Sequence, residues 1–232
     1  MRTAREYLFV ALDQMEPDEA VTLARKLRDS VGGYKVGMEL TYRGGPDVAR
    51  RIAELGRPVF LDLKLHDIPQ TVAQAVRAVR GVGCRYVTLH LSGGEAMARA
   101  AQDAAEGELT VLGVTVLTSL DAQALAQVGF GGTPAEVAER LLGVGIAAGI
   151  DGYITSGQEC RMLRARVPGA AIGVPGVRRA QDAAGDQRRV VTPAQAVADG
   201  ADLVIVGRPI TRAADPVLAA EDFVREIEGG MN

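Results

Sequence analysis

The sequence has little cysteine, little lysine and no long apolar run, and each shortage narrows what the chain can be. Its two cysteines, Cys84 and Cys160, stand far apart and fit neither a disulfide framework nor a metal-ligand spacing, so both read as small buried residues. The two histidines, His66 and His90, have no metal-ligand spacing either and read as structural or supporting residues. No stretch of about 18 apolar residues occurs, which leaves no candidate membrane span. The segment Met1-Arg2-Thr3-Ala4-Arg5-Glu6 leads into the first strand with no apolar signal region or cleavage site, so a cytoplasmic location is expected. Net charge is −3, which supplies no basic field for nucleic acid. Of 26 basic residues only Lys26, Lys35 and Lys64 are lysines, and two of these fall inside predicted strands. Lysine gives up a proton when its surroundings lower its pKa, whereas arginine does not, so this placement points to proton chemistry.

What is present is alternation. The 232 residues are 47% hydrophobic, enough for a substantial core. Strands are expected at Tyr7–Leu12, Tyr34–Met38, the stretch opening Pro58-Val59, Tyr86–Leu91, Leu109–Leu117, Gly152–Thr155, Ala171–Val174 and Leu203–Val206. Amphipathic helices separate them, among them Gly45–Leu55 and Pro69–Val82, the latter opened by a proline suited to a first helical turn. Strict alternation implies a parallel sheet. Eight units in this length predict a closed (β/α)8 TIM barrel, one domain spanning residues 1–232. An open doubly wound sheet fits less well, since no Gly-x-Gly-x-x-Gly follows the first strand.

The third strand carries the strongest functional signal. In Val59-Phe60-Leu61-Asp62-Leu63-Lys64-Leu65, alternation sets Asp62 and Lys64 on the face of Phe60 and the four aliphatic residues on the other. Charges on a buried face are costly unless paired. Asp67 follows just beyond. Other unusual polar residues also fall at predicted strand ends, where barrel enzymes carry their chemistry: Asp13 after strand one, Lys35 within strand two, Thr118 after strand five and Gly207-Arg208 after strand eight. The Gly-Arg pair suits a phosphate, with glycine allowing close approach and arginine a bidentate fork. The polar segment 176–190 is long for a connection and, with Arg178, Arg179, Gln187, Arg188 and Arg189, reads as a lid over an anion.

These residues resemble the orotidine 5'-phosphate decarboxylase family in its bacterial form. The specific signature is Asp62-x-Lys64-x-x-Asp67-Ile68-Pro69-x-Thr71. Ala11-Leu12-Asp13, Lys35-Val36-Gly37-Met38-Glu39-Leu40, Val114-Thr115-Val116-Leu117-Thr118-Ser119, Pro175-Gly176-Val177-Arg178, Gly185-Asp186-Gln187-Arg188-Arg189 and Val206-Gly207-Arg208-Pro209 agree in order. The resemblance implies that Lys35, Asp62, Lys64 and Asp67 form an alternating charged network, with Lys64 protonating C6 of the pyrimidine. It implies that Asp13 and Lys35 hold ribose hydroxyls, that Thr118 binds the pyrimidine edge, and that Arg178, Gln187, Gly207 and Arg208 hold the phosphate. Asp67 and Thr71 would cross into the neighbouring site of a homodimer. The expected partner is a small nucleotide substrate rather than nucleic acid or membrane. No metal, flavin, pyridoxal or thiamine motif is visible, so no cofactor is expected. The competing expectation is a Mg-dependent sugar-phosphate decarboxylase or lyase of the same superfamily, which shares Asp-x-Lys-x-x-Asp.

Overall fold

Alternation along the strands sorts their side chains into two cores. The computed structural model describes residues 2–180, 182 and 190–231. Among these, β1 (Leu8–Ala11), β2 (Gly33–Gly37), β3 (Val59–Leu65), β4 (Tyr86–His90), β5 (Thr110–Val114), β6 (Gly152–Ile154), β7 (Ala171–Val174) and β8 (Leu203–Val206) pair in parallel and in sequence order, and β8 returns to β1 to close a barrel. Phe9, Ala11, Phe60, Leu112, Val114, Ile154, Leu203 and Ile205 form the inner core. Their strand neighbours, such as Val10, Leu61, Val111 and Val204, face out into a larger core shared with the helices. Each such aliphatic or aromatic side chain, fully buried, stabilises the fold by roughly 1.5–3 kcal/mol. Tyr86 meets both Phe9 and Phe60 edge-on, with ring centroids 5.9 and 6.4 Å apart. Gly33 makes room for Phe9, since a Cβ there would lie 2.4 Å from the Phe9 ring.

The helices are α1 (Pro17–Leu27), α2 (Met38–Ala53), α3 (Pro69–Arg80), α4 (Glu95–Ala105), α5 (Ala122–Gln127), α6 (Pro134–Ala148), α7 (Gly157–Arg166), α8 (Pro193–Ala198), α9 (Arg208–Thr211) and α10 (Pro216–Gly230). Proline opens several of them, and Asp121, Thr133, Ser156, Thr192 and Asp215 cap exposed backbone N–H groups with side-chain oxygens. Several strand and helix ends differ from the sequence expectation by one or two residues, and three differences bear on the site. β5 ends at Val114, not Leu117, because its partner β6 stops at Ile154 and leaves no ladder beyond that pair. Thr118 therefore stands on the loop above the barrel. Helix α2 starts at Met38, directly after β2. The Gly45 backbone (φ 64°) breaks it, and Pro46 follows where the sequence suggested a start. Finally, α9 forms one short turn right after Gly207.

Candidate active site

Four of the expected residues meet at the C-terminal mouth of β1, β2 and β3. Asp62 lies two residues beyond Phe60, so the alternation that buries the ring brings the carboxylate inside above it. Lys35 is level with Ala11 on one side and Phe60 on the other. Its Nζ donates to Asp13 Oδ1 at 2.9 Å and lies 3.6 Å from Asp62 Oδ2. Lys64 Nζ is 2.8 Å from both Asp62 oxygens. The result is a row of alternating charge, Asp13–Lys35–Asp62–Lys64. Any one of these ions buried alone would cost several kcal/mol, and the row gives each an opposite neighbour. Gly37 belongs to it by having no side chain: a Cβ there would stand 2.6 Å from Asp13 Oδ1 and 3.1 Å from Lys35 Nζ.

Regular strand geometry does not survive at Lys64. Leu61 pairs with Val87 and Leu65 with Leu89, so Asp62-Leu63-Lys64 bulge out against Thr88 alone. Lys64 takes the left-handed backbone conformation, φ 51°, which costs a residue with a Cβ roughly 1–2 kcal/mol. Simple alternation thus fails at Lys64, and the bulge is what returns its ammonium to Asp62. Thr88 answers the bulge from β4. Fully buried, it accepts the Lys64 backbone N–H at Oγ1 (2.9 Å) and donates its own O–H to Asp62 Oδ1 (2.9 Å). Burial by itself would raise the Asp62 pKa. The ammonium groups of Lys35 and Lys64 and the bonds from Lys64 and Thr88 outweigh it and hold the carboxyl below the usual range. Close by, burial first and then His66 and Lys64 push the His90 imidazole down, and its ring centroid is 5.6 Å from that of His66.

Two clefts of about 190 Å³ each open at this mouth and share Lys35, Pro175 and Ile205. One is lined by Asp62, Lys64 and Thr118. The other is lined by Asp13, Arg178, Gly207 and Arg208. Arg178 and Arg179, at the start of the segment expected to form a lid, separate here. Arg178 is buried beside Gly207 and Arg208, whereas Arg179 turns to α10, pairing with Asp182 and Asp222 at 3.0 Å and lying over the Phe223 ring. The chain before and after this segment is tied together, with Val177 bridging Val191 and the Arg178 N–H donating to Val191 O at 3.0 Å. Gln187, with Asp186, Arg188 and Arg189, lies outside the described residues.

Asp67 and Thr71 are not drawn into their own chain's row. Both are exposed, Asp67 accepting the Ile68 N–H at Oδ1 (2.6 Å). Thr88 escaped the sequence reading, and Gly37 figures there only within the Lys35–Leu40 stretch, with no role of its own. A threonine in a strand and a glycine at a strand end are too ordinary to signal a site. Among the described residues no group of three or more His, Cys, Asp and Glu side chains is placed to hold a metal ion.

The chain matches the family described as orotidine 5'-phosphate decarboxylase / HUMPS over residues 6–223. It is 48% identical to the orotidine 5'-phosphate decarboxylase of Sphingopyxis alaskensis over 224 residues, covering 97% of this chain and 98% of that one. It is 49% identical to the Anaeromyxobacter dehalogenans enzyme of the same name over 227 residues, with the same coverage. The crystal structure of orotidine 5'-phosphate decarboxylase from Lactobacillus acidophilus superposes with a TM-score of 0.83 at 33% identity, covering 95% of this chain and 98% of that one.

Proposed function

The chain belongs to the orotidine 5'-phosphate decarboxylase / HUMPS family, and on that premise we propose how its barrel mouth converts orotidine 5'-phosphate to UMP and carbon dioxide in pyrimidine biosynthesis. The observation that carries the reading is the row Asp13–Lys35–Asp62–Lys64, an ammonium-terminated chain inside a cleft. The pyrimidine sits in the cleft lined by Asp62, Lys64 and Thr118, with Thr118 at its polar edge. The phosphate sits in the adjoining cleft at Arg178, Gly207 and Arg208, with Gln187 closing over it. Asp13 and Lys35, at the junction, hold the ribose.

The chemistry follows from these places. The bond from C6 to the carboxyl carbon breaks and its electron pair stays on C6, which has no neighbouring carbonyl to spread the charge. The Lys64 ammonium stabilises that developing charge and then gives C6 its proton, becoming a neutral amine. Asp62, paired with both lysines, holds their ammonium groups in place until that moment. Remote grip on the phosphate supplies binding energy that orients the ring at Lys64. The reaction needs no cofactor in this reading, because Lys64 is both the electrostatic partner and the acid.

Asp67 and Thr71 act in the site of a second copy, so the working unit is a homodimer. Their exposure beside Ile68, itself 67% exposed, supports this. The cytoplasmic location belongs to the same proposal. A metal-dependent sugar-phosphate reaction is the less favoured reading, since Asp13 and Asp62 already hold ammonium groups where a divalent ion would need free carboxylates. The test is the ultraviolet change of orotidine 5'-phosphate on mixing with the purified protein in EDTA. Turnover is expected. No turnover there, with Mg-dependent turnover of a keto-sugar phosphate instead, would overturn the reading.

A further inference from the structure

We infer that Thr88 is a positioning residue for the decarboxylation, a clamp that holds the Lys64 backbone and the Asp62 carboxylate in register through one hydroxyl. The inference rests on the reading above but concerns a residue that does not face the substrate in it. Where Leu61 and Leu65 are in ladder register with β4, the three residues between them are not, and Thr88 is the only β4 residue opposite them. A hydroxyl has one proton and spare lone pairs. The Lys64 N–H must donate, so Thr88 Oγ1 accepts there (2.9 Å). Its own proton is thereby left for Asp62 Oδ1 (2.9 Å). The same oxygen thus fixes the backbone of the proton donor and the orientation of the carboxylate that holds its ammonium, 2.8 Å away. A side chain without the hydroxyl would leave the part-buried Lys64 N–H without this partner at the point where the backbone is already left-handed.

The groups around Asp62 are Lys35 from β2 with Asp13 beyond it, Lys64 on β3, and Thr88 and His90 on β4. The bond from Thr88 helps hold the Asp62 pKa down, so its loss moves the carboxyl's titration up in pH.

The experiment compares Thr88→Val, which keeps the branched shape, with Thr88→Ser, which keeps the hydroxyl. Thr88→Val is expected to lower kcat at least tenfold while KM and the stoichiometry of UMP binding stay near wild type. The acidic limb of its kcat profile is expected to move to higher pH. Thr88→Ser should restore both. Because UMP stoichiometry counts folded sites, a loss of folded protein cannot imitate this pattern. In parallel, hydrogen exchange at the Lys64 amide, read by NMR without substrate, should be slow in wild type and Thr88→Ser and fast in Thr88→Val. Wild-type kcat and acidic limb in Thr88→Val, or unchanged Lys64 exchange, overturns the clamp. A wild-type protein that leaves orotidine 5'-phosphate intact overturns the reading beneath it, and the exchange result then still decides whether the clamp exists.

Discussion

Lys64 doubles back on Asp62, two residues earlier in the same strand, and places its Nζ 2.8 Å from both carboxylate oxygens. A side chain held this way is oriented and supplied with a partner before any ligand arrives. Lys64→Ala should therefore leave UMP binding within a few-fold of wild type and lower kcat by ~10⁴-fold or more, the combined scale of a lost proton donor and a lost electrostatic partner. Single-turnover decarboxylation with calorimetric UMP titration checks both halves. Loss of both in equal measure would move Lys64 from chemistry to binding.

Asp67 and Thr71 lie exposed, while Lys64 lies at the mouth. Mixing inactive Lys64→Ala with inactive Asp67→Ala is expected to restore activity. Hybrid dimers then contain one site with both native residues, and about a quarter of all sites recover at equal mixing if subunits exchange at random. Confirmed exchange without recovery would place Asp67 in its own chain's site.

The neighbouring arginines Arg178 and Arg179 should give opposite phenotypes. Arg208→Ala and Arg178→Ala remove cations from the proposed phosphate cleft, each lowering kcat/KM by ~10–10²-fold, as expected for a charge-assisted bond of about 1.5–3 kcal/mol. Arg179→Ala leaves Asp182 and Asp222 without their shared partner and uncovers Phe223. It should cost about 1–3 kcal/mol of stability, which lowers the melting temperature by about 2–4 °C per kcal/mol in a chain of this size. Calorimetry and steady-state kinetics on the three variants separate the two roles.

Acid sensitivity has a defined sign at Asp62. Its folded-state pKa lies below its unfolded value, through Lys35, Lys64 and Thr88 acting against burial. The stability it contributes is present above the ordinary carboxylate pKa and is lost as pH falls through the folded value. Lys35→Met removes one of the two ammonium groups and brings the folded-state pKa closer to the unfolded one, so the stability lost to acid should be smaller and its loss complete at a higher pH than in wild type. Urea unfolding across pH 3 to 7 measures it, and an unshifted curve would show that Lys35 does not stabilise the Asp62 anion.

The barrel was legible in the sequence because its evidence is local. Apolar alternation that puts Phe60 inside also puts Asp62 inside, and strand ends collect Asp13 and Arg208. The bulge was not legible, because it depends on an offset between two strands, Leu61 with Val87 and Leu65 with Leu89, that neither strand shows alone. Thr88 was hidden for the same reason: its significance lies in which residues it faces. Adjacent Arg178 and Arg179 are alike as residues, and it is folding that separates them, Arg178 toward the cleft and Arg179 toward α10.

The charged row is sealed in the middle and open at its ends: the Lys35 and Asp62 side chains are 11% and 12% exposed, Asp13 and Lys64 45% and 25%. Its four charges sum to zero. In the proposed reaction Lys64 hands its proton to C6, the row becomes a net anion with a free amine at its open end, and water is the supply that resets it. Carbon dioxide leaves neutral from a substrate that arrived as a carboxylate, so every turnover takes one proton out of the medium. In weakly buffered solution on the acid side of neutrality, the protein therefore alkalinises its surroundings at the rate at which it works, and a pH electrode becomes a direct counter of turnovers.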